Sequence, residues 1–248
     1  MSIKIGDYAY DTQTVGIGDF LVDLMQETNI ATGHVSFRAM IIQYVGNKTD
    51  VVVPDVFNDH YITTHIQTNA FFQNKIIESV RLPNTITHIS ENAFCGCENL
   101  KNVQMYTSLE FTYGKNEIWI SDFAFAYCFN LEEVSFLEKE VLTYAASRCQ
   151  FTKCHNLKKL TAKLKYVRAE TLENCDNLEE ITIANDGFLE HKAVDCVPSL
   201  KRVVFCGNVD MKNMSKRTFA KIAKLEIVCK AESNVAELAY TGSNILFV

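Results

Sequence analysis

Cys97-Glu-Asn-Leu100, Cys128-Phe-Asn-Leu131, Cys154-His-Asn-Leu157 and Cys175-Asp-Asn-Leu178 are copies of one phrase, and Cys196-Val-Pro-Ser-Leu200 repeats it with one residue added. Each leucine opens a short alternating stretch, as in Leu100-Lys-Asn-Val103-Gln-Met105, Leu131-Glu-Glu-Val134-Ser-Phe136 and Leu178-Glu-Glu-Ile181-Thr-Ile183. Alternation with period two reads as one half-buried strand per unit. Ile77-Glu-Ser-Val80-Arg-Leu82 precedes the series and Ile222-Ala-Lys-Leu225-Glu-Ile227 follows it. Successive units begin 23, 31, 26, 21, 22 and 22 residues apart, so the basic unit has about 22–23 residues and the second carries an insertion. Ile66-Gln-Thr-Asn-Ala70-Phe71, Ile89-Ser-Glu-Asn-Ala93-Phe94 and Ile120-Ser-Asp-Phe-Ala124-Phe125 form a second recurring element.

A unit this short cannot bury an apolar face alone. Stacking its strand on the next unit's strand makes a parallel sheet over one continuous core. Val80, Leu82, Val103, Met105, Val134, Phe136, Ile181, Ile183, Val203 and Phe205 are expected to point into that core. Phe71, Phe94 and Phe125 fill it from the opposite wall. The period lies in the ~20–29-residue range of leucine-rich repeats. The predicted fold is an α/β solenoid, mostly β: a right-handed leucine-rich-repeat superhelix with one parallel strand per coil. A β-hairpin caps its N-terminal end and a helix and strand its C-terminal end.

Residues 1–48 do not repeat and are expected to form an N-terminal cap; residues 49–248 form the array, with a closing cap from about 229. Val35–Val45 and Asp50–Val53 flank Gly46-Asn-Lys-Thr49, which reads as a hairpin. Asp19–Gln26 reads as a short helix capped by Asp19. Ser233 is a good N-cap and Gly242 a plausible residue to end the closing helix.

The run Val80-Arg-Leu-Pro-Asn-Thr-Ile-Thr-His-Ile-Ser-Glu-Asn-Ala-Phe-Cys-Gly-Cys-Glu-Asn-Leu100 resembles the unit of the BspA-type (Treponema pallidum-type) leucine-rich repeat family. The resemblance extends over about residues 49–248. It departs at the Tyr106–Glu117 insertion and in the fourth and fifth repeats, where the Ala-Phe element degrades and irregular coils are expected. It implies a cell-surface or secreted protein of adhesion and host interaction. The rival is an intracellular interaction scaffold.

Composition narrows the function classes. The chain is 48% hydrophobic and 22% charged with a net charge of −6, which excludes disorder and lacks the basic footprint of nucleic-acid binding or a polybasic membrane anchor. No apolar run approaches a membrane span. Met1–Tyr8 contains no leader-like apolar stretch, which favours a cytoplasmic protein if the chain is full length; no anchor motif follows Val248.

Nine cysteines are an odd number for a disulfide scaffold, and five occupy one equivalent position per coil. They read as buried small apolar residues, with inter-coil disulfides the less favoured reading. Cys95, Cys97, Cys149, Cys154 and His155 have no zinc-ligand spacing. No phosphate loop or nucleophile elbow occurs. No metal, cofactor or catalysis is expected; a thiol enzyme built on Cys154 and His155 is the remote alternative.

Partner binding is therefore assigned to surfaces. The outward strand positions, expected on the concave side, include Arg81, Gln104, Glu133, Lys159, Glu180 and Arg202, and also Lys224. The insertion concentrates aromatics, Tyr106, Phe111 and Tyr113, with Trp119 just beyond. The alternatives are an ordinary solvated sheet face and an insertion packed on its own body. The expected partner is a protein, or a glycan, engaged by a monomer or weak oligomer.

Overall fold

The computed structural model describes residues 2–107, 116–143, 148–190 and 192–210, and then 214, 218–219, 222, 224–235 and 244–247. It is a mostly-β solenoid. Strands β5 (Asp50–Val52), β8 (Ser79–Pro83), β10 (Asn102–Tyr106), β12 (Glu133–Leu142), β13 (Lys159–Val167), β14 (Glu180–Leu189), β15 (Arg202–Phe205), β16 (Glu226–Cys229) and β17 (Asn244–Phe247) pair in parallel, each with the next. One row of this first ladder runs Asp50, Ser79, Asn102, Glu133, Lys159. The inward residues predicted from alternation are all buried, Val80, Val103, Val134 and Val203 almost completely.

Each coil was expected to carry one strand, but the structure adds a second parallel ladder. It links β4 (Val35–Tyr44), β7 (Tyr61–Ile66), β9 (His88–Ile89), β11 (Glu117–Ile120) and the far half of β12. Ile41, Ile66, Ile89 and Ile120 lie in one row of it and are fully buried. The N-terminal segment extends the same ladder as an antiparallel meander of β1 (Ser2–Ile5), β2 (Tyr8–Ile17), β3 (Phe20–Asn29) and β4.

Two expectations fail here. Residues 20–26 are strand, not helix: Phe20, Val22 and Leu24 alternate into the core while β3 is paired on both edges, by β2 and β4. The segments flanking Gly46–Thr49 form no hairpin, because β4 pairs with β3 and β7 whereas β5 pairs with β8. That connection carries the chain from the second ladder to the first. The closing helix lies largely outside the described residues; Ser233 Oγ accepts from the Val235 N–H at 3.2 Å, and β17 supplies the predicted last strand. No helix occurs among the described residues of the named elements.

Hydrogen bonds between coils explain the repeated phrase. The buried thiols of Cys97, Cys128, Cys154 and Cys175 donate to the carbonyls of Phe71, Phe94, Phe125 and Phe151 at 3.0, 3.1, 3.1 and 3.2 Å. Asn99, Asn130 and Asn177 donate their side-chain amides to the carbonyls of Lys75, Glu98 and His155, one coil earlier. The leucines Leu100, Leu131, Leu157 and Leu178 are fully buried. Desolvation raises the thiol pKa values, that of Cys97 to about 12, so these sulfurs stay protonated donors.

Tyr44, Phe71, Phe94, Phe125 and Phe151 stack ring on ring, with centroids 5.4, 4.7, 5.1 and 5.3 Å apart. Phe151 thus extends the aromatic column into the fourth repeat, where the Ala-Phe element degrades to Gln150-Phe151. The stack ends where Leu172 and Val194, both buried, take the same place. Each of these coils turns through left-handed residues, Asn69, Asn92, Phe123 and Cys149 at φ 62°, 55°, 54° and 62°. Asparagine tolerates that conformation better than most side chains, which accounts for the recurring Asn before Ala-Phe.

Gln150 stands where other coils have Ala70, Ala93 and Ala124; it is 1% exposed, and both side-chain amide atoms are buried without a hydrogen bond. An unpaired buried polar group costs about 1–3 kcal/mol. Gln150→Met, which keeps the length of the side chain and removes the amide, should raise stability by about 1–3 kcal/mol in urea denaturation. No change or a loss would show that the amide is satisfied in solution.

Candidate partner-binding face

The first ladder places most of the sequence-predicted residues on its outward side. Arg81, Gln104, Ser135 and Thr161 share one row. Glu133 and Lys159 face each other in the next row, and Glu180, Arg202 and Glu226 continue it beyond β13. Lys224 does not belong to the set: the register puts Glu226 opposite Arg202, and Lys224 lies before β16 with φ 60°.

These charges form a pattern that their mixed signs concealed. The residue after each leading Ile or Leu reads Glu78, Lys101, Glu132, Lys158, Glu179, Lys201, alternating in sign coil by coil. Lys101 pairs with Glu78 at 2.7 Å, Lys158 with Glu132 at 3.0 Å, and Lys201 with Glu179. In the adjoining column Lys159 meets Glu133 at 2.9 Å, and Arg202 meets Glu180 at 2.9 Å and Glu226 at 2.7 Å. In-register parallel strands bring equivalent positions within ~4.8 Å, where like charges repel and opposite charges attract. The hydrogen bond to Glu78 accordingly raises the pKa of Lys101.

The columns neutralise themselves, so this face offers no single-sign field to a ligand. Each exposed pair contributes only about 0–1 kcal/mol. Glu133→Lys, which sets two lysines side by side, should lower stability by about 0.5–1 kcal/mol at low salt, and the added exchange Lys159→Glu should recover most of it. Equal stability of all three proteins would show that the column contributes nothing.

One boundary in the first ladder is open. Between β13 and β14 the register pairs Lys163 with Thr182 and Leu164 with Ile183, although the repeat aligns Thr161 with Thr182. Elsewhere the first residues of a strand donate to the coil before: Glu132 and Glu133 to the Lys101 carbonyl, Lys158 and Lys159 to Glu132, Lys201 and Arg202 to Glu179. Among the described residues, no such bond joins Glu179 or Glu180 to the Lys158 carbonyl.

A cleft of about 430 Å³ lies there, lined by Leu137, residues 158–163, Glu179, Glu180 and Thr182. Its lining includes the nearly buried Leu160 and Ala162, with Leu137 36% exposed in left-handed backbone at φ 56°.

The slip has a local cause. β12 runs four residues, 136–139, opposite Ala162 alone, and β14 runs four, 184–187, opposite Lys165 alone. β13 is the short strand on both sides. In the second bulge a Cβ at Gly187 would lie 2.6 Å from Ile183 Cγ2, so the backbone closes up only around glycine. Sequence reasoning places Lys159, Thr161, Glu180 and Thr182 on the outward face but misses Leu137 and Lys163, and it does not gather the six into one site. The available signal was the 21-residue step from Leu157 to Leu178 after a longer unit.

The remaining predicted residues do not gather here. Tyr106 is half-buried, donates its hydroxyl to the Val53 carbonyl at 2.9 Å, and lies under the Arg81 guanidinium at 5.4 Å. The two therefore hold the early coils together. Phe111 and Tyr113 lie outside the described residues. Trp119 belongs to the second ladder, in register with His88, whose ring stacks on His65 at 4.4 Å. Burial lowers the His65 pKa to about 4, so this stack is neutral at pH 7.

Cys154 and His155 form no catalytic pair. The Cys154 thiol is buried and bonded to Phe125, whereas the exposed His155 places Nδ1 2.6 Å from Asp176. Among the described residues no three His, Cys, Asp or Glu side chains gather as a metal site.

The BspA type leucine-rich repeat region matches the chain over residues 64–186 and 118–243, in six copies. The chain belongs to the BspA-type leucine-rich repeat family. Among solved structures it is similar to a leucine-rich repeat protein of Bacteroides capillosus ATCC 29799, with 19% identity over 60% of this chain and 98% of that one and a TM-score of 0.42. It is also similar to the T. pallidum leucine-rich repeat protein, with 18% identity over 77% of this chain and 78% of that one and a TM-score of 0.43. No curated protein matches it.

Proposed function

We propose that the chain is a non-catalytic protein-interaction module whose partner docks on the outward face of the first ladder, centred on the β13–β14 cleft. The observation that carries this reading is the opening itself: along a self-neutralised, hydrogen-bonded face, the Lys158–Glu180 boundary combines a cavity, a Lys158 carbonyl that among the described residues lacks the inter-coil bond found at its neighbours, and an exposed leucine. Among the described residues the lining contains no aromatic side chain, which favours a protein over a glycan.

Membership of the family supports a surface or secreted adhesion role. The rival, an intracellular scaffold, is supported by the nine cysteines, which form no disulfide among the described residues.

Two experiments test this reading. A photo-crosslinking residue at Thr182, expressed in the native organism, should capture a protein that the same residue at Lys4 does not; equal capture from both positions would overturn the cleft as the docking site. Protease shaving of intact cells should release peptides of this chain if it acts at the surface, and protection until lysis would replace adhesion with the scaffold role.

A further inference from the structure

We propose that the partner contributes an extended segment that enters the cleft as an added β-strand between β13 and β14. The proposal rests on the protein-interaction reading and specifies the occupant. Its basis is the main chain. The N–H groups of Glu179 and Glu180 and the carbonyl of Lys158 are the groups that, by the rule followed in the neighbouring coils, would bond to an adjacent strand. On the other side, β13 is paired to β12 from Lys159 to Thr161, whereas its pairing to β14 begins at Lys163. Over Lys159–Thr161 β13 therefore has no ladder partner on its β14 side among the described residues. Strand edges in this state recruit extended peptides.

The walls restrict which segment fits. Lys158, Lys159 and Lys163 stand on one side and Glu179 and Glu180 on the other. Lys158, Lys159, Glu179 and Glu180 each already pair with an opposite charge in the neighbouring coil, so the cleft offers a segment no charge to satisfy and the entering residues are neutral overall. Thr161 and Thr182 line the cleft with the nearly buried Leu160 and Ala162, a setting that suits small β-branched side chains.

The test uses the full chain and peptides selected on it from a random dodecapeptide library. Each selected peptide is resynthesised with backbone N-methyl groups at alternate residues, which removes N–H donors and keeps the side chains. One of the two N-methyl series should bind at least about tenfold more weakly than the parent. The amides of Glu179 and Glu180 should exchange with deuterium more slowly in the complex.

Affinity unchanged in both N-methyl series, or protection confined to other coils, would overturn strand addition. If Thr182 still captured a partner in cells, the protein-interaction reading would stand and only the mode of binding would fall. Loss of both results would remove the two together.

Discussion

In the stacked coils a strand side chain meets its own counterpart one coil away, at the spacing of a parallel strand pair. That constraint decides which residues can recur. Apolar rings and aliphatic chains gain by meeting their own kind, which is why Phe71, Phe94, Phe125 and Phe151 stack and why Ile41, Ile66, Ile89 and Ile120 form an unbroken buried row. A cysteine thiol or an asparagine amide recurs because each donates to a main-chain carbonyl of the preceding coil, whose position is set by the same stacking. Charges cannot recur. The alternation of Glu132, Lys158, Glu179 and Lys201 is the solution available to a sheet face that must stay wet.

The constraint also explains what was legible in the sequence. Wherever stacking demands identity, as in Cys-x-Asn-Leu and Asn-Ala-Phe, repetition in the sequence reported the fold and its core. Residues 19–26 have no counterpart to repeat, and Phe20, Leu21, Leu24 and Met25 satisfy a helical spacing while Phe20, Val22 and Leu24 satisfy a strand spacing. Pairing with β2 and β4 selects the strand, and that information lies in other segments. The second ladder was missed because β9 is only His88–Ile89, too short to show alternation. The charge columns were visible one residue at a time but acquire meaning only when coils are placed side by side.

The cleft arises where the constraint is relaxed. The four-residue bulges on β12 and β14 flank a β13 that has no matching insertion, so the coils on either side keep their cores while β13 slides by two residues against β14. Leu157 and Leu178 remain fully buried on both sides of the slip, as do the thiols of Cys154 and Cys175. The opening is thus confined to the start of two strands and leaves the stacked core closed. Local disorder of pairing over a closed core is a geometry that a folded protein can hold while empty, because the free main-chain groups face solvent and hydrogen-bond to it.

For the docking proposed above, the same geometry would set the character of recognition. The charged side chains at the rim already have partners: Lys158 and Lys159 on Glu132 and Glu133, and Glu179 and Glu180 on Lys201 and Arg202. A docking segment need not neutralise or desolvate a lone charge, and it gains little from carrying one. What the cleft offers instead is main-chain donors and acceptors at strand spacing above a small apolar floor. Main-chain pairing is tolerant of sequence, so affinity from such a site is modest and selectivity comes from the few side chains that meet Leu137, Thr161 and Thr182. The long charged face, neutralised by its own pairs, then preserves the coil register on which the opening depends.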